Sequence, residues 1–407
     1  MKCRNCQTPL NVDFLDLGNA PPSNAYLSQN DLTAPETTYP LRIRVCSSCW
    51  LVQTEDYTAA DALFTGDYAY FSSTSQSWLA HASTYVDMIT AKLDLSKDSH
   101  VIEVASNDGY LLRNFVRLGI PCLGIEPTAG TAKAAEALDI PVLQEFFGEQ
   151  LGEQLAQTGK SADLICGNNV YAHVPDINDF TRGLAAALKE HGVITLEFPH
   201  LLQLIQDCQF DTVYHEHFSY LSLSVVQRIF AQCGLRVFDV EHLNTHGGSL
   251  RVYGCLTAAS HPQTEAVDAC IADENAAGLN TPAPYTGFQA RATKVKDDLL
   301  RFLLDTKRDG KTIAAYGAAA KGNTILNFAG VKPDLLPFVC DAAPSKQDHF
   351  TPGSHIPILP PQALRENRPD YILILPWNIA PEVRAQLSDL ADQGSKFVTA
   401  VPRLVIT

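Results

Sequence analysis

Four short apolar runs, V-I-E-V-A, C-L-G-I-E, D-L-I-C-G-N and G-V-I-T-L-E-F, follow one another between residues 101 and 198, separated by stretches with helical spacing. Short apolar runs of this kind fit strands buried on both faces of a parallel sheet, and the helices between them supply the crossovers that such a sheet needs. A helix is predicted over 72–93, ahead of the first run. The pattern ends near residue 257, and H-P at 261–262 with T-P-A-P at 281–284 marks a connector leading to a helix predicted over 288–309. It then resumes in T-I-A-A-Y-G, L-P-F-V-C-D, Y-I-L-I-L-P and K-F-V-T-A-V. The expected class is α/β: two doubly wound units, 61–257 and 258–407 (connector 258–309), behind a small module at 1–60.

Composition narrows the function. With 46% hydrophobic and 18% charged residues the chain can bury sizeable cores. A net charge of -15 argues against an electrostatic hold on nucleic acid or an anionic membrane. No run approaches the ~18 apolar residues of a membrane helix, and the opening M-K-C-R-N-C lacks the apolar core of a signal peptide. Cysteines number eleven, and from Cys122 onward they stand singly, which fits a reducing cytoplasm.

The first six cysteines include two matched knuckles, Cys3/Cys6 in C-R-N-C and Cys46/Cys49 in C-S-S-C. Four thiolates meet the tetrahedral demand of Zn²⁺, and a two-residue gap lets each pair chelate from one tight turn. A closed four-thiolate set leaves no open coordination position, so the expected zinc is structural.

In the first α/β unit the strand ends carry a distinctive set. V-I-E-V-A-S-N-D-G-Y-L-L (101–112) runs strand, turn, helix start, the place where doubly wound folds bind a cofactor. It holds one glycine where a dinucleotide fingerprint needs three. Glu126 and Pro127 end the second strand, and a carboxylate there suits both ribose hydroxyls of an adenosine. Glu145 and Phe146 follow the third, suited to an adenine edge and face. Asn168 and Asn169 end the fourth. Acid at the ribose, aromatics at adenine and amides at an amino-acid moiety predict S-adenosylmethionine, held by Ala105, Ser106, Asn107, Gly109, Glu126, Pro127, Glu145, Phe146, Asn168 and Asn169.

V-Y-H-E-H-F-S-Y-L (213–221) packs two histidines, a glutamate and two tyrosines into nine residues. As a strand it would put His215 and His217 on one face; as a helix, Tyr214, His217 and Phe218 would share one. Spacing leaves three readings open: an acid/base centre, a hydrogen-bonded polar knot, or a metal site in which His173, His200 or His246 joins the pair.

Taken in order, the cysteine knuckles, P-P-S-N-A-Y-L (21–27), Y-A-Y-F-S-S (68–73), E-V-A-S-N-D-G-Y-L-L, I-E-P, N-N-V-Y-A-H-V-P-D, E-F-P-H (197–200), Y-H-E-H-F-S-Y-L-S, H-G-G-S-L-R-V-Y (246–253) and G-A-A-A-K-G-N-T (317–324) resemble the nucleotide-sugar C-methyltransferases of deoxysugar pathways. Members of that family methylate C-3 of a TDP-4-keto-deoxyhexose. The resemblance implies a zinc-binding N-terminal domain, a central methyltransferase domain and a C-terminal Rossmann-like domain with substrate between them. It implies His217 as the acid/base residue, with Tyr214 and Glu216 beside it and Tyr68 near the reacting centre. Tyr70, two places on, competes with Tyr68 for that position and is otherwise a substrate residue. Because the family builds its site within one chain, a monomer is expected.

The chemistry agrees with those residue types. A ketone makes its α-proton removable, a histidine has the matching basicity, and a tyrosine hydroxyl can stabilise the enolate oxygen. Asn24, His173 and His200 are further candidates for the substrate. G-A-A-A-K-G-N-T follows a strand and opens a helix, so Lys321 and its backbone are expected near the pyrophosphate. Asp341, closing the next strand, resembles an acid that grips a nicotinamide ribose. An NAD(P)-dependent or bifunctional enzyme is therefore the alternative, and a non-catalytic sugar-nucleotide binder the third.

Overall fold

The computed structural model describes residues 1–55 and 71–407. Its centre is a seven-stranded sheet whose parallel part runs Leu188–Pro199, Ala162–Asn168, Val101–Val104, Cys122–Ile125, Val142–Leu143 in spatial order. The chain winds outward from Val101–Val104 in one direction, then returns to build the other side. Crevices beyond the carboxyl ends at such a reversal are where doubly wound folds bind ligands. Val101–Val104 is buried at every position, as its apolar run on both faces requires.

Two antiparallel strands, Leu235–Leu243 and Ser249–Leu256, extend the sheet past Leu188–Pro199. Because Ser249 pairs with Pro199, the hairpin tip at 244–248 sits at the carboxyl ends of the parallel strands. Two glycines make this tip possible. A Cβ on Gly247 (φ +91) would meet Trp377 Cη2 at 2.4 Å, and one on Gly248 (φ +115) would meet Gln203 Cγ at 2.7 Å.

The helix Gln76–Leu93 begins four residues later than 72, because Ser75 caps it by accepting from the Trp78 amide at 3.3 Å. It buries Ala82, Tyr85, Val86 and Ile89, one face at helical spacing. Phe288–Arg308 matches the helix predicted over 288–309.

A second sheet, in the order Ile358–Leu359, Val339–Cys340, Ile313–Tyr316, Tyr371–Ile374, Lys396–Thr399, Val405–Ile406, repeats the same winding with one antiparallel edge strand. Its reversal lies beside Ile313–Tyr316, so the G-A-A-A-K loop and the helix Ala320–Ala329 open at the carboxyl edge.

The N-terminal segment is more regular than its Pro- and Asn-rich sequence suggests. Val12–Ala20, Tyr39–Val45 and Val52–Thr54 form an antiparallel sheet, and a fourth strand comes from far along the chain: Ser219–Tyr220, paired with Gln53 and Val52. Phe14, Leu41 and Ile43 of this sheet share one core with Leu299, Ile325 and Val339 of the C-terminal unit. Each such side chain contributes roughly 1.5–3 kcal/mol on burial, so the N-terminal module is welded to both α/β units. Among the described residues no helix is long and apolar enough to cross a membrane.

Candidate active site

Cys3 and Cys49 bring their sulfurs to 3.5 Å, as do Cys6 and Cys46, and all four sulfurs lie within 4.8 Å of one another. That is too far for disulfides and fits the edges of a tetrahedron around Zn²⁺. The Gln53 amide donates to Cys3 Sγ at 3.2 Å, a hydrogen bond that orients the ligand. The tie matters because Gln53 also pairs with Ser219, two residues after His217.

A cavity of about 780 Å³ opens where the central sheet reverses. One wall carries the expected donor residues Ala105, Asn107, Glu126, Pro127, Asn168 and Asn169, with Glu145 and Phe146 at its mouth. Glu126 Oε2 accepts from the Asn107 amide at 2.9 Å and Oε1 from the Thr128 amide at 3.0 Å, so the strand-end acid fastens the turn after the preceding strand. Ala105 and Asn107 take the left-handed conformation in that turn (φ 57 and 50). Both polar side-chain atoms of Asn168 are buried without a partner, although Asn168 lines the cavity. Such orphaned amide atoms are costly unless a ligand satisfies them, and with Glu126 they fit the polar ends of S-adenosylmethionine. Phe146 is 58% exposed, an aromatic face open to an adenine.

Two expected donor residues stand behind this wall. Ser106 is fully buried beneath the turn, against Gly124, where a Cβ would meet its Oγ at 2.5 Å. Gly109 (φ +78) packs against Ile140 and Ala135, where any Cβ would clash. Both shape the loop from beneath.

The opposite wall is built by the H-E-H stretch, which is neither strand nor helix. A turn closes with the His217 amide donating to the Tyr214 carbonyl at 3.0 Å. Residues at its two ends then face the same way: Tyr214 and His217 line the cavity with ring centroids 4.0 Å apart. His173 joins them, its ring 4.6 Å from that of His217. His217 Nδ1 sits 2.9 Å from the Thr212 carbonyl oxygen. Burial first, and then His173, pushes His217 well below the ordinary histidine range.

The two residues inside the turn point elsewhere. His215 Nε2 donates to the Tyr39 carbonyl at 3.3 Å, toward the N-terminal sheet. Glu216 is buried one layer behind the cavity, accepting from Asn24 Nδ2 at 3.2 Å, and burial raises its pKa. It reaches the cavity through Asn24, which does line it. The two-histidine metal reading therefore fails geometrically. Among the described residues the groups that converge as ligands are the four cysteines and His200–Cys270–Glu274.

His200 needs correction as a substrate residue. Only 1% exposed, it bonds Glu274 at 2.8 Å and does not line the cavity. The chain turns inward just past Pro199, taking the side chain to the far side of the strand end. Tyr68 and Tyr70 lie outside the described residues.

The C-terminal unit closes the cavity with Ala319, Ala320, Lys321 and Lys346. Lys321 donates to Asn378 at 2.7 Å and lies 4.8 Å over the Trp377 ring. Burial lowers its pKa, opposed by Asp211. Asp211 accepts from Trp377 Nε1 at 2.7 Å, and burial pushes it up to about 6. Lys346 donates to the Ala318 carbonyl at 2.9 Å and lies 3.6 Å from Asp341. Asp341 repeats the clasp of Glu126, accepting from the amides of Ala318 and Ala343 at 2.8 Å each.

Sequence reasoning missed Lys346, Trp78 and, except as a metal candidate, His246. His246 accepts the Asn169 side-chain amide at 2.9 Å and stands edge-on to Trp78, 5.4 Å away. Its place in H-G-G, two glycines at a hairpin tip, was the available signal.

Three family models match in chain order: a zinc binding domain over residues 3–64, a methyltransferase domain over 78–240 and a C-methyltransferase C-terminal domain over 244–402. The C-methyltransferase NovU of Streptomyces niveus is 33% identical over 401 residues, 98% of this chain and 95% of that protein. Among solved structures, magnesium protoporphyrin IX methyltransferase from Synechocystis is 14% identical, with a TM-score of 0.33, over 44% of this chain and 81% of that one. An S-adenosylmethionine-dependent methyltransferase from Clostridium acetobutylicum is 11% identical, with a TM-score of 0.34, over 43% of this chain and 90% of that one. From the near end-to-end match and the three domains in order, the chain belongs to the C-methyltransferase family, as an S-adenosylmethionine-dependent enzyme with a structural zinc domain.

Proposed function

We propose that this enzyme methylates C-3 of a 4-keto-deoxyhexose carried on a nucleoside diphosphate, with TDP as carrier, acting as a cytoplasmic monomer. The observation that carries the reading is the state of His217. The Thr212 carbonyl can only accept, so His217 Nδ1 bears the proton and Nε2 keeps its lone pair. That lone pair belongs to a ring lining the same cavity as Glu126 and Asn168.

Each wall then has a task. Lys321, Lys346 and the start of the helix Ala320–Ala329 supply positive charge where a pyrophosphate would lie. Asn24, held by Glu216, offers its amide to the sugar. His217 Nε2 takes the C-3 proton, and the electron pair left on carbon delocalises onto the 4-keto oxygen. Tyr214, beside His217, supports the charge on that oxygen. S-adenosylmethionine, when bound, supplies an electrophilic methyl group on a sulfonium. His173 and His246, each held at about 4 chiefly by burial, stay neutral and add no positive charge against the sulfonium.

The test is incubation with isotopically labelled methyl donor and a panel of 4-keto sugar nucleotides, read by mass spectrometry. In deuterated solvent without donor, the C-3 hydrogen should exchange, and His217→Asn should stop the exchange. Absence of transfer to every 4-keto sugar nucleotide would sink the substrate; unaltered exchange in His217→Asn would sink the base.

A further inference from the structure

A second constellation of ligand types lies outside the cavity. His200, Cys270 and Glu274 are each 1% exposed, and one ligand atom from each lies within 4.8 Å of the others. Cys270 and Glu274 stand four residues apart on the helix Glu265–Ala276, hence on one face. His200 reaches them from the end of the strand Leu188–Pro199. We infer that these three side chains form a second, structural zinc site, distinct from the four cysteines.

Four arguments support it. The ligand chemistry is that of Zn²⁺, which accepts imidazole nitrogen, thiolate and carboxylate together. The charge balances: one thiolate and one carboxylate neutralise Zn²⁺, so the loaded cluster can be buried without net charge. On binding, the Cys270 thiol proton leaves to solvent and its sulfur takes the metal.

Next, the carboxylate is already braced as a ligand would be. Glu274 accepts from the Leu223 amide at 2.6 Å and the Ser224 amide at 2.9 Å, which fixes its oxygens while leaving lone pairs for a metal. Finally, His200 Nδ1 is buried without a partner, so the ring is under-satisfied as it stands. His242 lies on the solvent side, its ring 5.9 Å from that of His200 and outside the three-residue group. The site would tie the connector helix to the strand end and to the helix Leu223–Gln232, whose first residues follow the H-E-H turn.

Metal analysis of the full-length protein, purified without chelator and freed of loose metal after exposure to excess Zn²⁺, tests the inference. Two zinc ions per chain are expected, falling to one in Cys270→Ser. Zinc-edge X-ray absorption on the wild-type chain gives an answer that needs no variant to fold. Two sites give a nitrogen/oxygen shell at about 2.0–2.1 Å beside the sulfur shell at about 2.3 Å, whereas four cysteines alone give sulfur only. A single zinc per chain, a sulfur-only spectrum, or two ions retained in Cys270→Ser overturns the site and leaves a metal-free His200–Glu274 pair.

Discussion

Tyr214 and His217 occupy the two ends of a single turn, and their rings meet at 4.0 Å on the cavity wall. The turn is pinned from three sides: the Phe218 amide bonds the Ala172 carbonyl, Thr54 Oγ1 bonds the His217 carbonyl and Thr324 Oγ1 bonds the Val213 carbonyl. Central, N-terminal and C-terminal segments therefore each hold the same few residues. The placement of Tyr214 and His217 on the cavity wall depends on all three.

His217→Asn keeps a donor for the Thr212 carbonyl but removes the proposed base. Turnover should fall by about 10²–10⁴-fold, with S-adenosylmethionine affinity by calorimetry unchanged. Tyr214→Phe should lower kcat by a smaller factor at nearly constant donor affinity. Wild-type turnover in His217→Asn would exclude it as the base.

The pH profile follows from the direction of the His217 shift. Burial depresses its pKa below the ordinary 6.5, so the basic form is present above that lowered value and lost as pH falls through it. His173, His246, Tyr214 and Lys321 face it in the cavity, and none is a carboxylate that would reverse the sign. The acid limb of kcat/KM, which reports the free enzyme, should lie below 6.5. A limb at or above neutrality would contradict the assignment.

Lys321→Ala and Lys346→Ala should each weaken binding of the nucleoside diphosphate by roughly 10–100-fold, the worth of a charged hydrogen bond. The effect should shrink at high salt. Calorimetry with TDP would decide it, and binding indifferent to both substitutions would remove the pyrophosphate from this wall.

Glu126→Ala removes the acceptor for the Asn107 and Thr128 amides as well as the expected ribose contact. S-adenosylmethionine binding should fall at least tenfold, and thermal stability should fall by about 1–3 kcal/mol from the orphaned amides. Undiminished binding would place the donor elsewhere.

Replacing Cys46 and Cys49 together by serine should remove zinc from the N-terminal module. Through Gln53, which touches both Cys3 and the strand at Ser219, the loss should reach the H-E-H turn and lower kcat, not just stability. Calorimetric donor binding and steady-state rates separate the outcomes; a variant with full kcat would show that the module only packs.

The parallel sheets and the cysteine cluster were legible because their signals are local: a strand buried on both faces needs an apolar run, and a chelating knuckle needs its cysteines close in sequence. The convergence of Asn107, Glu126 and Asn168 on one cavity wall was legible for a related reason, since strand ends at a winding reversal meet by topology. Ser106 and Gly109 were misread as contacts, because a loop's supports and its lining alternate along one turn. His200 failed similarly: one residue past Pro199 decides which side of the strand end a side chain takes.

By itself, the sequence determined the α/β class, the cysteine cluster and the order in which Glu126, Phe146 and Asn168 come to one cavity wall. Tertiary structure alone decided the direction of each group in Y-H-E-H. The stretch forms a turn because Ser219–Tyr220 must pair with Gln53 and Val52, more than 160 residues away. That pairing sends His215 and Glu216 inward and leaves Tyr214 and His217 on the cavity wall. Lys346 enters the same wall because the second sheet's winding carries its loop there, and no local spacing encodes a contact made by two domains.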